Sequence, residues 1–202
     1  ATRFAREGYL VFNVDYRLVP AHRFPAPVHD VALALQWIAR HAPAMGGDLS
    51  RLVLAGESAG ANLATGLAIS GSWRRSEPWS QIVWELNLQP KVLAPACGYL
   101  QVSQPERHTE ANTMPAWMAS RIHAVSDGYL PDHAAPQASH AFADPLTLLE
   151  RLGAPERPFP ATFAIAGGED PVRTDTERLG GALERLNIPH QVEVYPGGGH
   201  TF

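Results

Sequence analysis

The chain has 202 residues, 45% of them hydrophobic and 18% charged, with a formal net charge of −4 at pH 7. That length suffices for one sizeable core. The absence of any Lys/Arg run argues against nucleic acid or an anionic membrane as partner. No apolar stretch reaches membrane-spanning length, and the single cysteine, Cys97, excludes an internal disulfide and fits a reducing, cytoplasmic compartment.

In chain order, the residues around Arg3 and Arg6 read as the end of a helix feeding an apolar strand over 9–14. Val28, Val31, Leu35 and Ile38 then recur at helical spacing, with Asp30 expected in the first turn. A second strand, 52–55, leads into a run of good helix formers over 59–69. Residues 72–79 form a polar connection holding two tryptophans, Trp73 and Trp79. A strand over 92–94 follows, and Cys97 just after it reads as a buried structural thiol. Residues 105–145 hold no clear strand and many His, Pro, Ala and Ser residues, with one short helix over 116–125. Long irregular stretches inside a compact domain are usually functional. This one reads as a cap or lid over the sheet's carboxyl edge, with Trp117 and Met118 as candidate walls of an apolar substrate pocket. A strand over 161–166, a helix over 174–186 striped with Leu179, Ala182, Leu183 and Leu186, and a strand over 191–195 complete the pattern. Strands alternating with helices argue for an α/β fold. The strand runs are apolar without clean alternation, which implies a parallel sheet covered on both faces.

The chemistry centres on Gly56-Glu57-Ser58-Ala59-Gly60. Strand, G-x-S-x-G and helix in that order make a nucleophile elbow, a sharp turn that lifts the serine out of the sheet. Crowding by helix and strand predicts that only glycine fits two positions before and two after Ser58. The helix starting at Ala59 presents unpaired N–H groups beside the serine, so the Ala59 N–H is a candidate oxyanion donor. A serine needs a base, and the base needs an orienting third group. Of nine histidines, His22, His29 and His41 sit near helix ends, His108, His123, His133 and His140 in the irregular segment, and His190 before a strand. His200 follows the last strand across Pro196-Gly197-Gly198-Gly199, which puts it at the sheet's carboxyl edge with the elbow. Asp170, reached from the preceding strand through Gly167-Gly168-Glu169, is the favoured acid. Glu169, Asp175 and Asp144 compete, but read respectively as solvent-facing, a helix-dipole carboxylate and a cap. One strand–helix–strand step separates Asp170 from His200, so acid and base should come from adjacent loops.

Four stretches resemble the hormone-sensitive-lipase-like branch of the α/β-hydrolase fold, the bacterial family IV esterases. They are Asp15 through Ala26 (DYRLVPAHRFPA), Gly56 through Ala64 (GESAGANLA), Asp170-Pro171 with Arg173, and Tyr195-Pro196 through His200 and Phe202. The resemblance implies a three-layer, mostly parallel α/β-hydrolase domain and maps the family's catalytic residues onto Ser58, Asp170 and His200. It gives Tyr16, Arg17, Phe24 and Pro25 structural roles. It implies ester hydrolysis through an acyl-enzyme, on short-chain or aryl esters, with no metal or organic cofactor and a possible homodimer of the full-length protein. A serine peptidase or amidase, or a non-catalytic small-ligand binder on the same scaffold, are the alternatives; the presence of His200 argues against the last. The departure from the family is the missing H-G-G-G oxyanion motif, which leaves Ala59 as the remaining donor. Residues 1–202 are therefore expected to be one hydrolase domain incomplete at both ends, with a gap in its sheet beside the strand at 52–55 and insufficient packing to fold stably alone.

Overall fold

A computed structural model of the chain describes residues 1–109, 114–130 and 138–202. His133 and the parts of the expected cap over 110–113 and 131–137 lie outside the described residues. In chain order the helices and strands are α1 (Thr2–Arg6), α2 (Ala26–His41), β1 (Val53–Glu57), α3 (Ala59–Ser72), α4 (Pro78–Leu86), β2 (Val92–Ala96), α5 (Glu106–Thr109), α6 (Ala116–Tyr129), α7 (Pro145–Arg151), β3 (Ala161–Gly167), α8 (Arg173–Arg185) and β4 (His190–Tyr195). Short 3-10 turns fill 42–45, 49–51 and 138–143.

The four strands form one parallel sheet in the order β1-β2-β3-β4. Leu54 lies beside Leu93, Leu93 beside Thr162, and Gly167 beside Tyr195. Because all three strand pairings are parallel, all four carboxyl ends emerge along one edge. That edge carries the elbow, the acid loop and the histidine loop.

Burial alternates along the strands, which differs from the expectation of cover on both faces. Leu54, Leu93, Thr162 and Ala164 are buried, while Val53, Ala55, Ala161 and Phe163 between them are exposed. The covered face packs on α3 against β1 and β2 and on α8 against β3 and β4, with α7 touching both helices. α2 and α4 lie beyond, against α3. α3 is therefore sandwiched, and eleven of its residues are buried, including the polar Asn62, Thr65 and Ser70. The core runs continuously from Val31 and Leu35 through Leu63, Ile69 and Leu93 to Leu179 and Leu183.

Residues 9–14 are not a strand. A strand exists through ladder bonds to a neighbour, and among the described residues no ladder bond reaches this run, so its apolar side chains Tyr9, Leu10 and Val11 stay exposed. β1 is accordingly an edge of the sheet. The helix over 26–41 starts earlier than expected, so Asp30 lies past its first turn and its carboxylate instead pairs with Arg17, at 2.7 Å. The connection over 72–79 becomes helical at Pro78, where α4 buries Trp79 and Val83. α6 extends the expected short helix to Tyr129.

Candidate active site

The elbow is built by conflict between strand and helix. Ser58 sits at φ 52°, ψ −113°, a conformation that costs an L-residue about 1–3 kcal/mol. Its own N–H donates to the Ala96 carbonyl at 2.9 Å, which ties the turn to β2. α3 begins so close that a Cβ on Gly56 would lie 2.2 Å from the Gly60 backbone. Glycine is thus required at 56. A Cβ on Gly60 meets nothing within 4 Å, so only the first of the two expected glycine constraints holds sterically. As the first helical residue, Ala59 has no intrahelical acceptor for its N–H, which remains available beside Ser58.

The acid and histidine loops interlock in the same way. A Cβ on Gly167 would lie 2.2 Å from the Gly198 carbonyl oxygen. The backbones are held by Gly168 N–H to the Tyr195 carbonyl and Glu169 N–H to the Gly198 carbonyl, both at 2.8 Å. Arg173 caps the acid loop by donating to the Gly168 carbonyl at 2.8 Å.

These loops bring three side chains into line. His200 Nε2 stands 2.9 Å from Ser58 Oγ, and His200 Nδ1 stands 3.0 and 3.1 Å from the two Asp170 carboxylate oxygens. The Asp170 carboxylate is fully buried, and its Oδ1 also accepts the Val172 N–H at 2.9 Å. The hydrogen bond to Asp170 raises the His200 pKa above its ordinary value against the opposing effect of burial, with the Asp170 and Glu57 charges adding to the rise. The imidazole is held by one carboxylate and faces one hydroxyl, so it can accept the Ser58 proton and have the resulting cation stabilised.

The other candidates fall elsewhere. Glu169 is exposed. Asp175 lies in the first turn of α8 but is fully buried, accepting the Leu100 and Gln101 N–H groups at 2.9 and 3.0 Å and pairing with Arg107. Asp144 occupies the N-cap of α7 without capping it; its side chain accepts the Val102 and Ser103 N–H groups at 2.7 and 2.9 Å and the Ser103 hydroxyl. Both carboxylates pin the backbone that follows β2. His108 is buried in the same region. Trp117 stands 69% exposed on α6, and Met118 is half-buried. The apolar cluster under α6 is instead made by Ile122 with Tyr99, Val102 and Leu130. An open recess of about 570 Å³, lined by Arg74, Arg75, Gln81, Trp84, Glu85 and Arg157, shares no residue with the serine–histidine–aspartate line.

Cys97 is the residue whose place the sequence did not reveal. It lies buried beside the pair, with a potential ligand atom within 4.8 Å of those of Asp170 and His200. Burial raises its thiol pKa, with the neighbouring Asp170 also raising it and the Thr201 and Gly167 N–H groups working against the shift. Its position directly after β2, at the same carboxyl edge, was the available signal.

An α/β-hydrolase family model, described as the alpha/beta hydrolase fold, matches residues 2–202. The chain belongs to that family. As a hydrolase-fold chain it is 29% identical over 191 residues to "Esterase LipI" of Mycobacterium tuberculosis, covering 91% of this chain and 52% of that protein. Among solved structures it is similar to esterase LipW from Mycobacterium marinum, with a TM-score of 0.69, 27% identity, and coverage of 93% and 54% of the two chains. It is similar also to an esterase from the bacterial hormone-sensitive lipase family, with a TM-score of 0.69, 25% identity, and coverage of 93% and 56%. These likenesses agree with the resemblance carried by the four sequence stretches: this is a hormone-sensitive-lipase-like α/β-hydrolase chain. It spans about half the length of the relatives it matches.

Proposed function

We propose that this chain carries the catalytic machinery of a serine carboxylic-ester hydrolase, and that Ser58, His200 and Asp170 are its nucleophile, base and orienting acid. The observation that supports the reading most strongly is the 2.9 Å approach of His200 Nε2 to Ser58 Oγ with Asp170 directly behind the ring. Ser58 Oγ attacks the ester carbonyl carbon as its proton passes to His200 Nε2. Asp170 fixes the ring proton on Nδ1 and stabilises the imidazolium. The Ala59 N–H donates to the oxygen of the tetrahedral intermediate. Collapse expels the alcohol, protonated by His200, and leaves an acyl-enzyme on Ser58. Water, deprotonated by the same ring, then releases the acid.

The substrates proposed are esters with short acyl or aryl groups, the class that the family resemblance implies, with Trp117 and Met118 on α6 as candidate acyl contacts. The H-G-G-G donors of the resembling family are not in this sequence. Loss of one oxyanion donor costs roughly 10²–10³-fold in rate, so the isolated chain should turn over slowly while its serine remains activated.

Active-site phosphonylation separates these two quantities. A fluorophosphonate probe forms an Oγ–P bond and expels fluoride without requiring repeated turnover. Peptide mass spectrometry should find one adduct, on Ser58, abolished in Ser58→Ala. A folded chain that takes no label, or one equally labelled after Ser58→Ala, would sink the proposal.

A further inference from the structure

Cys97, Asp170 and His200 come from the loops after β2, β3 and β4, yet each offers a metal-binding atom within 4.8 Å of the other two. Cys97 is the only cysteine in the sequence and is 2% exposed. Its N–H donates to the Ile165 carbonyl at 2.8 Å, which fixes the backbone that aims the thiol. The Asp170 carboxylate is fully buried and the His200 ring is 34% exposed, so the group is closed on two sides and open on the third. Thiolate, imidazole and carboxylate together form a donor set suited to zinc and cadmium, whereas magnesium and calcium take oxygen ligands. With metal–ligand bonds of about 2.0–2.3 Å, donors around a tetrahedral ion lie roughly 3.3–3.7 Å apart.

We propose that Cys97, Asp170 and His200 form a capture site for a soft divalent cation such as Zn²⁺, and that its occupancy reversibly disables Ser58. The Cys97 thiol releases its proton to solvent. The neutral imidazole gives up its Nδ1 proton to solvent, takes one from solvent at Nε2, and binds the ion through the freed Nδ1. Asp170 already carries its charge, so two anionic ligands meet a doubly charged ion, and water fills the open position. His200 then presents an N–H to Ser58 in place of a lone pair and cannot take the serine proton. The consequence for Ser58 rests on the esterase reading; the ion site does not.

Cadmium titrated into the intact chain tests the site without activity, because a cadmium–thiolate bond gives an ultraviolet charge-transfer band. The expected result is a saturable band at one ion per chain, absent in Cys97→Ser. His200→Ala and Asp170→Asn should each weaken apparent affinity by about 10-fold or more. Zinc should slow fluorophosphonate labelling of Ser58, a chelator should restore it, and whatever labelling rate Cys97→Ser retains should be insensitive to zinc. A band unmoved by His200→Ala would reduce the site to an isolated thiol and overturn the proposal, as would no saturable band in a chain with native-like far-ultraviolet circular dichroism. A normal cadmium response with no Ser58 labelling in zinc-free buffer would instead overturn the esterase reading and leave the ion site standing.

Discussion

Asp170 and Asp175 flank the start of α8, and both carboxylates are fully buried. Their partners divide them. Asp175 takes two backbone N–H groups and the Arg107 guanidinium, none of which gives up a proton near neutral pH, and the imidazole beside it, His108 at 3.8 Å, is held neutral by burial. Asp170 takes one backbone N–H and the ring of His200, whose proton does move in that range. If Asp170 orients the base, as proposed, then burial alone does not distinguish a carboxylate that orients chemistry from one that holds a fold, and the nature of its donor does.

The sharpest way to break that distinction is Asp170→Asn. The amide can keep the Val172 bond, but its NH₂ donates towards Nδ1 and forces the ring proton onto Nε2. The wrong tautomer should lower the rate of ester hydrolysis, or of Ser58 phosphonylation, by about 10⁴-fold. Thermal unfolding followed by circular dichroism should move little. A rate loss no larger than the accompanying loss of folded protein would place Asp170 in the same structural class as Asp175.

Asp175→Ala should do the opposite. It removes the acceptor for Leu100 and Gln101 and deprives Arg107, whose side chain is only 19% exposed, of its carboxylate partner. Breaking a buried pair of this kind costs about 3–5 kcal/mol, so the urea midpoint should fall steeply. Folded molecules should still label on Ser58, because none of the lost bonds reaches the serine–histidine line. Loss of labelling in protein that remains folded would show that the two regions are coupled.

The same structural region supplies a pH dependence that the active site does not require. His108 is held neutral: burial, aided by Arg107 and Arg178 and opposed by Asp175 and Asp170, lowers its pKa from 6.5 to about 4. Between those values the unfolded chain binds the proton and the folded chain does not. Stability is therefore present above pH 6.5, is lost as the pH falls towards about 4, and changes no further from this group below that. The full difference is at most about 3 kcal/mol. Replacing His108 with Gln should remove this increment from a plot of urea stability against pH, and a plot unchanged by the replacement would refute it.

What the sequence disclosed followed locality. G-x-S-x-G, Gly-Gly-Glu-Asp-Pro and Pro-Gly-Gly-Gly-His are each contiguous and each follow an apolar strand, so topology alone brings Ser58, Asp170 and His200 to one edge. The roles of Asp144 and Asp175 were not legible, because their backbone partners lie about 41 and 75 residues away and leave no local pattern. Cys97 was hidden for the same reason: its neighbours are on two later loops. The strand over 9–14 failed for a different cause. Apolar composition favours an extended run, but pairing depends on a neighbour, and the described sheet places β1 at its edge. The face carrying Val53 and Phe163 likewise could not be read as open from residues that are apolar on both sides of each strand.

The elbow holds a similar contrast between two residues of one type. G-x-S-x-G suggests two equivalent glycines, whereas the geometry makes them unequal: a Cβ on Gly56 would lie 2.2 Å from the Gly60 backbone, and a Cβ on Gly60 would enter open space. Gly60 also shows no positive φ that would resist a side chain. Alanine there should fit without displacement and gain helix propensity worth up to about 0.5–1 kcal/mol, less near the first turn. Gly60→Ala should thus leave urea stability equal or slightly raised and leave Ser58 labelling intact. Destabilisation by more than about 1 kcal/mol would mean that the second glycine is held by a contact the open space beside it does not reveal.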